Sequence, residues 1–457
     1  MQNIKHLYWR AGFGLNPMEW QQKGSWTIEE AVDELFNSAQ KAPSLKPFTS
    51  PVRKGFAKLS KEEKAALQKK DRQDIISINT DWVLRMADPQ SAELLERMTL
   101  FWHGHFACRS RSGKLAAQQL HTLRTHALGN FRDLLIGIAK DPSMIRYLNN
   151  QQNKKQKPNE NFARELMELF TIGHGNYSEK DIKEAARAFT GWSSTLQGDF
   201  IFRQFWHDTG TKTFMGKTGR FGGEDIIDLI LERRETAEFI CRKVYRYFVN
   251  AQVKEQHVKA MSKVFYQSGY DIEKLMRFVL ESNWFYAAEN QGNKIKSPIT
   301  LFAGMIRTLD LEFKNPATII FLERAFGQVL FNPPNVAGWP GDKSWIDNST
   351  LMARLNLAQS MIGTTEFNFR AKASLEDKNP ARNRKRLEVK ANLKPLLDLV
   401  SGQDKTASIT TLAEYLLLTQ PQVRPSLIKQ YSPLPEEDAF VALAAIRLMS
   451  LPEYQLC

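Results

Sequence analysis

Ser91-Ala-Glu-Leu-Leu-Glu-Arg-Met-Thr-Leu-Phe-Trp-His-Gly-His-Phe-Ala107 decides the fold. Leu94, Leu95, Met98, Trp102 and Phe106 recur at helical spacing, which predicts an amphipathic helix capped by Ser91 and running to about Ala107. Working outward, Thr27 with Glu30 three residues later is a capping-box start for a helix over 27–36. Residues 61–86 form a long charged helical stretch that turns apolar toward Trp82. Further helices are expected over 115–128, 131–139 and 143–148, then over 159–171 after a polar loop at 149–158, ending at Gly173. Ser178 with Asp181 opens a helix to Phe189. Others follow over 223–232, 236–249, 254–266, 272–280 and, behind Ser297-Pro298, 301–309. One small hairpin is expected from 198–205 with 212–215, turning at His207-Asp-Thr-Gly210.

Prolines and glycines punctuate Phe331-Asn-Pro-Pro-Asn-Val-Ala-Gly-Trp-Pro-Gly-Asp-Lys-Ser-Trp345 throughout, so it is irregular. The fold class is therefore all-α, with one small β-hairpin and long irregular Pro/Gly loops. A main helical domain spans 1–365, a polar linker 366–386 and a helical C-terminal extension 387–457.

Composition excludes several classes. Hydrophobic residues at 42% and charged residues at 25% match ordinary globular usage over a length that supports a large core. The longest apolar runs, such as Leu134-Leu135-Ile136, are too short to span a bilayer. No sustained apolar segment precedes the first charges, so no secretory signal is expected and the compartment is read as cytoplasmic, with export by another route left open. Cys108, Cys241 and Cys457 lack paired spacing and read as buried free thiols. The net charge is 63 − 50 = +13, concentrated at 53–72, at Lys154, Lys155 and Lys157, and at 382–394. Such a surface attracts nucleic acid, anionic lipid or acidic polymer. Without a recognition-helix or RNA-binding motif, nucleic acid is the weaker expectation and solvated basic faces the simpler one.

Seven ordered segments carry a family likeness: Arg10-Ala-Gly-Phe-Gly14, Phe101-Trp-His-Gly-His-Phe106, Asn159-Glu-Asn-Phe-Ala-Arg-Glu-Leu-Met-Glu-Leu-Phe-Thr-Ile-Gly173, Tyr177-Ser-Glu-Lys-Asp181, Ala188-Phe-Thr-Gly-Trp192, His207-Asp208 with Lys212, and the loop 333–339. Over roughly 1–365 the chain resembles the domain-of-unknown-function 1800 family. The resemblance implies a largely helical bacterial protein of no established activity. Similar proteins are often encoded beside an uncharacterised family that looks like sulfatases and phosphatases, which makes that product a candidate protein partner. Many members carry an export signal that this chain does not display.

Four groups of residues are chemically capable. His103 and His105, two apart on a helix, project about 200° from each other, so chelation requires the helix to end near Gly104. Otherwise His105 is a core histidine and His103 a surface one. In 159–171, Phe162, Leu166, Leu169 and Phe170 form the buried stripe, while Glu160, Arg164 and Glu168 form an exposed salt-bridged row. Glu165 lies at the edge of the stripe, where partial burial would raise its pKa and suit it to ligand or general-base work. His207 and Asp208, with Lys212, could supply a base, a ligand and an anion contact, or simply a turn. Trp339 sits in a loop that is a structural lid or a substrate platform, and Trp345 with Asp342 could line a sugar-binding wall.

The favoured function is a metal-assisted hydrolase or transferase. In it Glu165, His207 and Asp208 are catalytic, Arg164, Lys212 and Trp339 bind substrate, and His103, His105 and Glu168 hold a divalent metal ion of unspecified identity. The alternatives are a non-catalytic helical scaffold for a partner protein and a basic surface that binds anionic polymer.

Overall fold

Capping chemistry sets many of the helix starts. Thr27 accepts from the Glu30 N–H and Glu30 returns the bond, opening Ile28–Lys41. Ser178 and Asp181 do the same for Glu179–Ala188. Ser297 and Asp141 cap helices that begin with Pro298 and Pro142, where a missing N–H costs nothing. In the computed structural model, residues 1–46, 48, 59–195, 197–362, 367–370, 382–385, 387–434 and 436–457 are described. Residues 53–58 of the first basic segment, and 366, 371–381 and 386 of the expected linker, lie outside them. The architecture is mainly α-helical, with four two-stranded antiparallel ladders among the described residues. No described helix is long and apolar enough to cross a membrane.

The helix Glu93–His105 is buried on nearly every side, not on one stripe. Its polar residues are satisfied by distant segments. Glu93 pairs with Arg307 at 2.6 Å, and Glu96 takes Arg124 at 2.7 Å and the Trp82 indole N–H at 2.9 Å. Arg97 donates to the Arg10 and Trp9 carbonyls and to the Thr300 hydroxyl. Buried ions survive only when partnered in this way.

The strand-like stretches 198–205 and 212–215 both contain strands, but they do not pair with each other. Phe200–Phe202 pairs with Trp192–Ser194, and Lys212–Phe214 pairs with Lys217–Gly219. The reason lies between them: Arg203 N–H bonds the Gly191 carbonyl, which folds the chain back on its own upstream segment. Within 366–386, residues Phe367–Arg370 pair with Arg382–Lys385. The segment beyond packs onto the body: Val389–Ala391 pairs with Leu311–Phe313, and the Tyr415 hydroxyl donates to the Leu15 carbonyl at 2.9 Å. All three cysteines are free and buried.

Candidate active site

His103 and His105 point to opposite sides of the central helix, and both are dry. His103 is covered by the Pro-rich loop, so it is no surface residue. Its Nε2 accepts from the Phe331 N–H at 3.1 Å, and its ring packs on Trp82, Phe331 and Trp339. Because an N–H donates to Nε2, the proton of the neutral ring is on Nδ1. Burial lowers its pKa to about 3. His105 has the opposite tautomer: its Nε2 lies 3.0 Å from the Phe170 carbonyl and must donate to it. Burial and nearby Lys243 hold its pKa well below the ordinary range. The helix continues through Gly104 to His105, so the two rings do not share an ion. Among the described residues no three His, Cys, Asp or Glu side chains gather as a metal-holding group, and His103, His105 and Glu168 do not converge. As placed among the described residues, the set does not fit one ion.

The Pro-rich loop reaches the helix by close backbone approach. At Gly338, with φ +85°, an added Cβ would lie 2.4 Å from the Gly104 carbonyl oxygen. Trp339 rests against His103, and Trp345 is itself buried, with its carbonyl accepting from Thr350.

The 159–171 segment begins as an α-helix, Asn161–Glu165, and continues as a π-helix, Leu166–Thr171. Such wider turns are rare and are frequent at functional sites. The Thr171 hydroxyl donates to the Leu166 carbonyl at 2.6 Å, and the Ile172 N–H reaches back to Met167. Two late carbonyls are met from outside: Lys243 donates to Leu169 at 2.9 Å and His105 to Phe170. Gly173, at φ +76°, ends the turn where a Cβ would strike the Phe239 ring. Lys243 is largely buried, which brings its amine down to about 8.

Glu165 sits at the α-to-π junction, half-buried, with no hydrogen bond or ion pair among the described residues. Burial and the adjacent Glu168 charge raise its pKa. Glu168 is tied to Arg164 at 3.5 Å, to His174 at 3.8 Å and to the Tyr177 hydroxyl. Arg164 makes its best contacts with Glu179, at 2.9 and 2.8 Å, and also reaches Glu160.

The His207 turn is occupied by internal bonds. Nδ1 of His207 contacts the Thr190 carbonyl at 2.9 Å, and its ring meets Phe202 edge-on. Asp208 accepts a fork from Arg187 at 2.8 and 3.3 Å and the Gly210 N–H at 2.8 Å. Burial pushes its carboxyl up, and these bonds outweigh that and hold it below the ordinary range. Lys212 is buried with its amine on the Asp208 and Gly210 carbonyls.

The structure thus joins Arg164 with Glu168, Asp208 with Lys212, His103 with Trp339, and His105 with the π-turn that follows Glu165. It places His207 among Thr190 and Phe202. Lys243 and His174 stand outside the sequence motifs, and Tyr177 enters there only as the first residue of the segment Tyr177-Ser-Glu-Lys-Asp181. Lys243 is marked there only by standing in the helix Arg234–Phe248 between Cys241 and Val244, which are buried.

Neither the curated proteins nor the solved structures contain a match to this chain. The family model described as protein of unknown function (DUF1800) matches residues 6–456 and takes in the C-terminal segment along with the seven motifs. The chain belongs to the DUF1800 family.

Proposed function

We propose that the chain is a hydrolase or transferase working by general acid–base catalysis, with Glu165 as the proton-transfer group. One observation carries this reading: a half-buried carboxylate with no ion-pair partner among the described residues, its pKa raised by burial and by Glu168, at the junction of an α- and a π-turn. A carboxylate so placed accepts a proton from water or a hydroxyl more readily than an ordinary glutamate does. Arg164, one residue away, supplies a fork for an anionic group when it exchanges out of its exposed pair with Glu179. Glu168, braced by His174 and Tyr177, maintains the negative potential. The test is turnover of chromogenic carboxylate, phosphate, sulfate and glycoside esters by the wild type and Glu165→Gln. One class should be hydrolysed, with a rate that falls as pH drops through the raised Glu165 pKa. The variant should lose about 100-fold or more at an unchanged melting temperature. Full activity in the variant, or no turnover of any class, defeats the reading.

A second reading, a non-catalytic scaffold for a partner such as the sulfatase- and phosphatase-like family product, is favoured by a different observation. His103, His105, Asp208 and Lys212 are spent on bonds within the chain. A scaffold co-purifies with its partner equally well as wild type and as Glu165→Gln.

A further inference from the structure

Phe205 is 89% exposed, more than any other large apolar side chain among the described residues, and Phe202 beside it is 45% exposed. These rings are not on a loose end. Phe205 is the middle residue of a 3-10 turn, Gln204–Trp206, and Phe202 ends the strand before it; the turn is held by Arg203 N–H to the Gly191 carbonyl at 2.8 Å and by Lys155 N–H to the Trp206 carbonyl at 2.8 Å. Gly191, at φ +83°, lies so close beneath that a Cβ would stand 2.7 Å from the Arg203 oxygen. The fold therefore presents Phe205 outward on a fixed platform.

The platform is cationic. Lys154 lies 4.1 Å and Arg203 4.6 Å from the Trp206 ring centroid, and Lys155 and Lys157 follow in the same loop. Lys154, Lys157 and Trp206 line an open groove with Gln151, Gln152 and Gln156. Among the described residues none of these four cations makes a salt bridge. Asp208, two residues past Trp206, is taken by Arg187.

We infer that this face docks on an anionic lipid bilayer, with Phe205 and Phe202 entering the headgroup–acyl boundary and Lys154, Lys155, Lys157 and Arg203 on the lipid phosphates. Exposed apolar rings on a segment with cations that make no salt bridge among the described residues are the composition that interfacial binding needs, because the two attractions add. A soluble polyanion would use the cations but leave both phenylalanines in water. Its sugars or bases would also find the Trp206 ring already taken by two cations. Docking of this kind is peripheral and needs no spanning helix.

The experiment is co-sedimentation of the full chain with phosphatidylcholine vesicles, with and without phosphatidylglycerol, at low and high salt. Binding should require phosphatidylglycerol and weaken with salt. Lys154→Gln and Lys157→Gln should each weaken it about fivefold, the equivalent of one surface cation. Phe205→Ser, at a position 89% exposed, should weaken it roughly tenfold at an unchanged melting temperature. Failure to bind phosphatidylglycerol vesicles overturns the proposal. So does binding that Phe205→Ser leaves intact, and dextran sulfate competing equally against wild type and Phe205→Ser would assign the face to a soluble polyanion instead.

Discussion

The two imidazoles of the central helix carry their protons on opposite nitrogens, because one meets a backbone donor and the other a backbone acceptor. Nitrogen-15 shifts of the labelled rings should show His103 protonated at Nδ1 and His105 at Nε2, both neutral well below pH 6. Two rings protonated on the same nitrogen would contradict this. The pH dependence of stability follows with a definite sign. The folded pKa of His103 lies near 3 against an ordinary value of 6.5, so the unfolded chain takes up the proton first. Its stability contribution is complete above pH 6.5 and is lost as pH falls toward 3, at about 1.4 kcal/mol per pH unit. Buried Asp141 and Glu323, raised to about 7 and about 8, act in the opposite sense, losing stability as pH rises above the ordinary carboxylate range. The total profile is therefore flattened, and the measurement must be a difference. Wild type minus His103→Gln in denaturant melts should decline with that slope below pH 6.5, and a level difference would show that His103 is protonated in the fold. From the sequence, the 200° separation of the two histidines was legible, and so was their failure to share an ion on an intact helix. That His103 is dry was not, because its cover comes from Phe331, more than two hundred residues away.

At the scale of the element, the apolar spacing of Leu94, Leu95, Met98 and Trp102 was sufficient to place the central helix, and the Ser/Thr caps its neighbours. The π-turn escaped because no residue type marks it. A wheel drawn at the α-helical period puts Leu169 in the buried stripe, whereas the wider turn buries Met167 fully and leaves Leu169 partly buried against the core. The carbonyls it leaves over are met by Lys243 and His105, partners that periodicity cannot supply. The same stretch nevertheless showed Glu165 at the edge of the stripe, since that position precedes the change of pitch. The contact between the Pro-rich loop and the central helix yields a paired expectation. Gly338→Ala must place a Cβ against the Gly104 oxygen at positive φ, and should cost about 2–4 kcal/mol. Gly104→Ala meets nothing within 4 Å and should gain up to about 1 kcal/mol from helix propensity. Chemical denaturation measures both, and equal losses at the two glycines would mean that the loop does not seat as described.

Over the whole molecule, a single contiguous cluster of buried apolar residues runs from Ile4 to Tyr454, so residues beyond 387 share the core of the preceding body. Lys5 donates to the Glu414 and Leu417 carbonyls, Lys296 N–H to the Gln455 carbonyl, and Lys294 and Cys457 exchange backbone bonds. Arg354 reaches the Lys296 carbonyl and Gln455 from a third segment. These bonds join positions up to four hundred residues apart, which is why a polar stretch at 366–386 reads as a boundary in sequence while the flanking helices interlock in space. Two units linked by a tether would melt separately, whereas elements sharing one core lose their stability together. Leu412 is fully buried on the C-terminal helix Lys405–Leu416, and its truncation to alanine should cost about 2–5 kcal/mol. If the core is shared, Leu412→Ala shifts the entire denaturation transition, and tryptophan fluorescence, reporting on Trp82 and Trp102 in the body, moves with far-ultraviolet circular dichroism. An early phase in circular dichroism alone, with the tryptophan transition unmoved, would instead establish residues 387–457 as a separately folding unit.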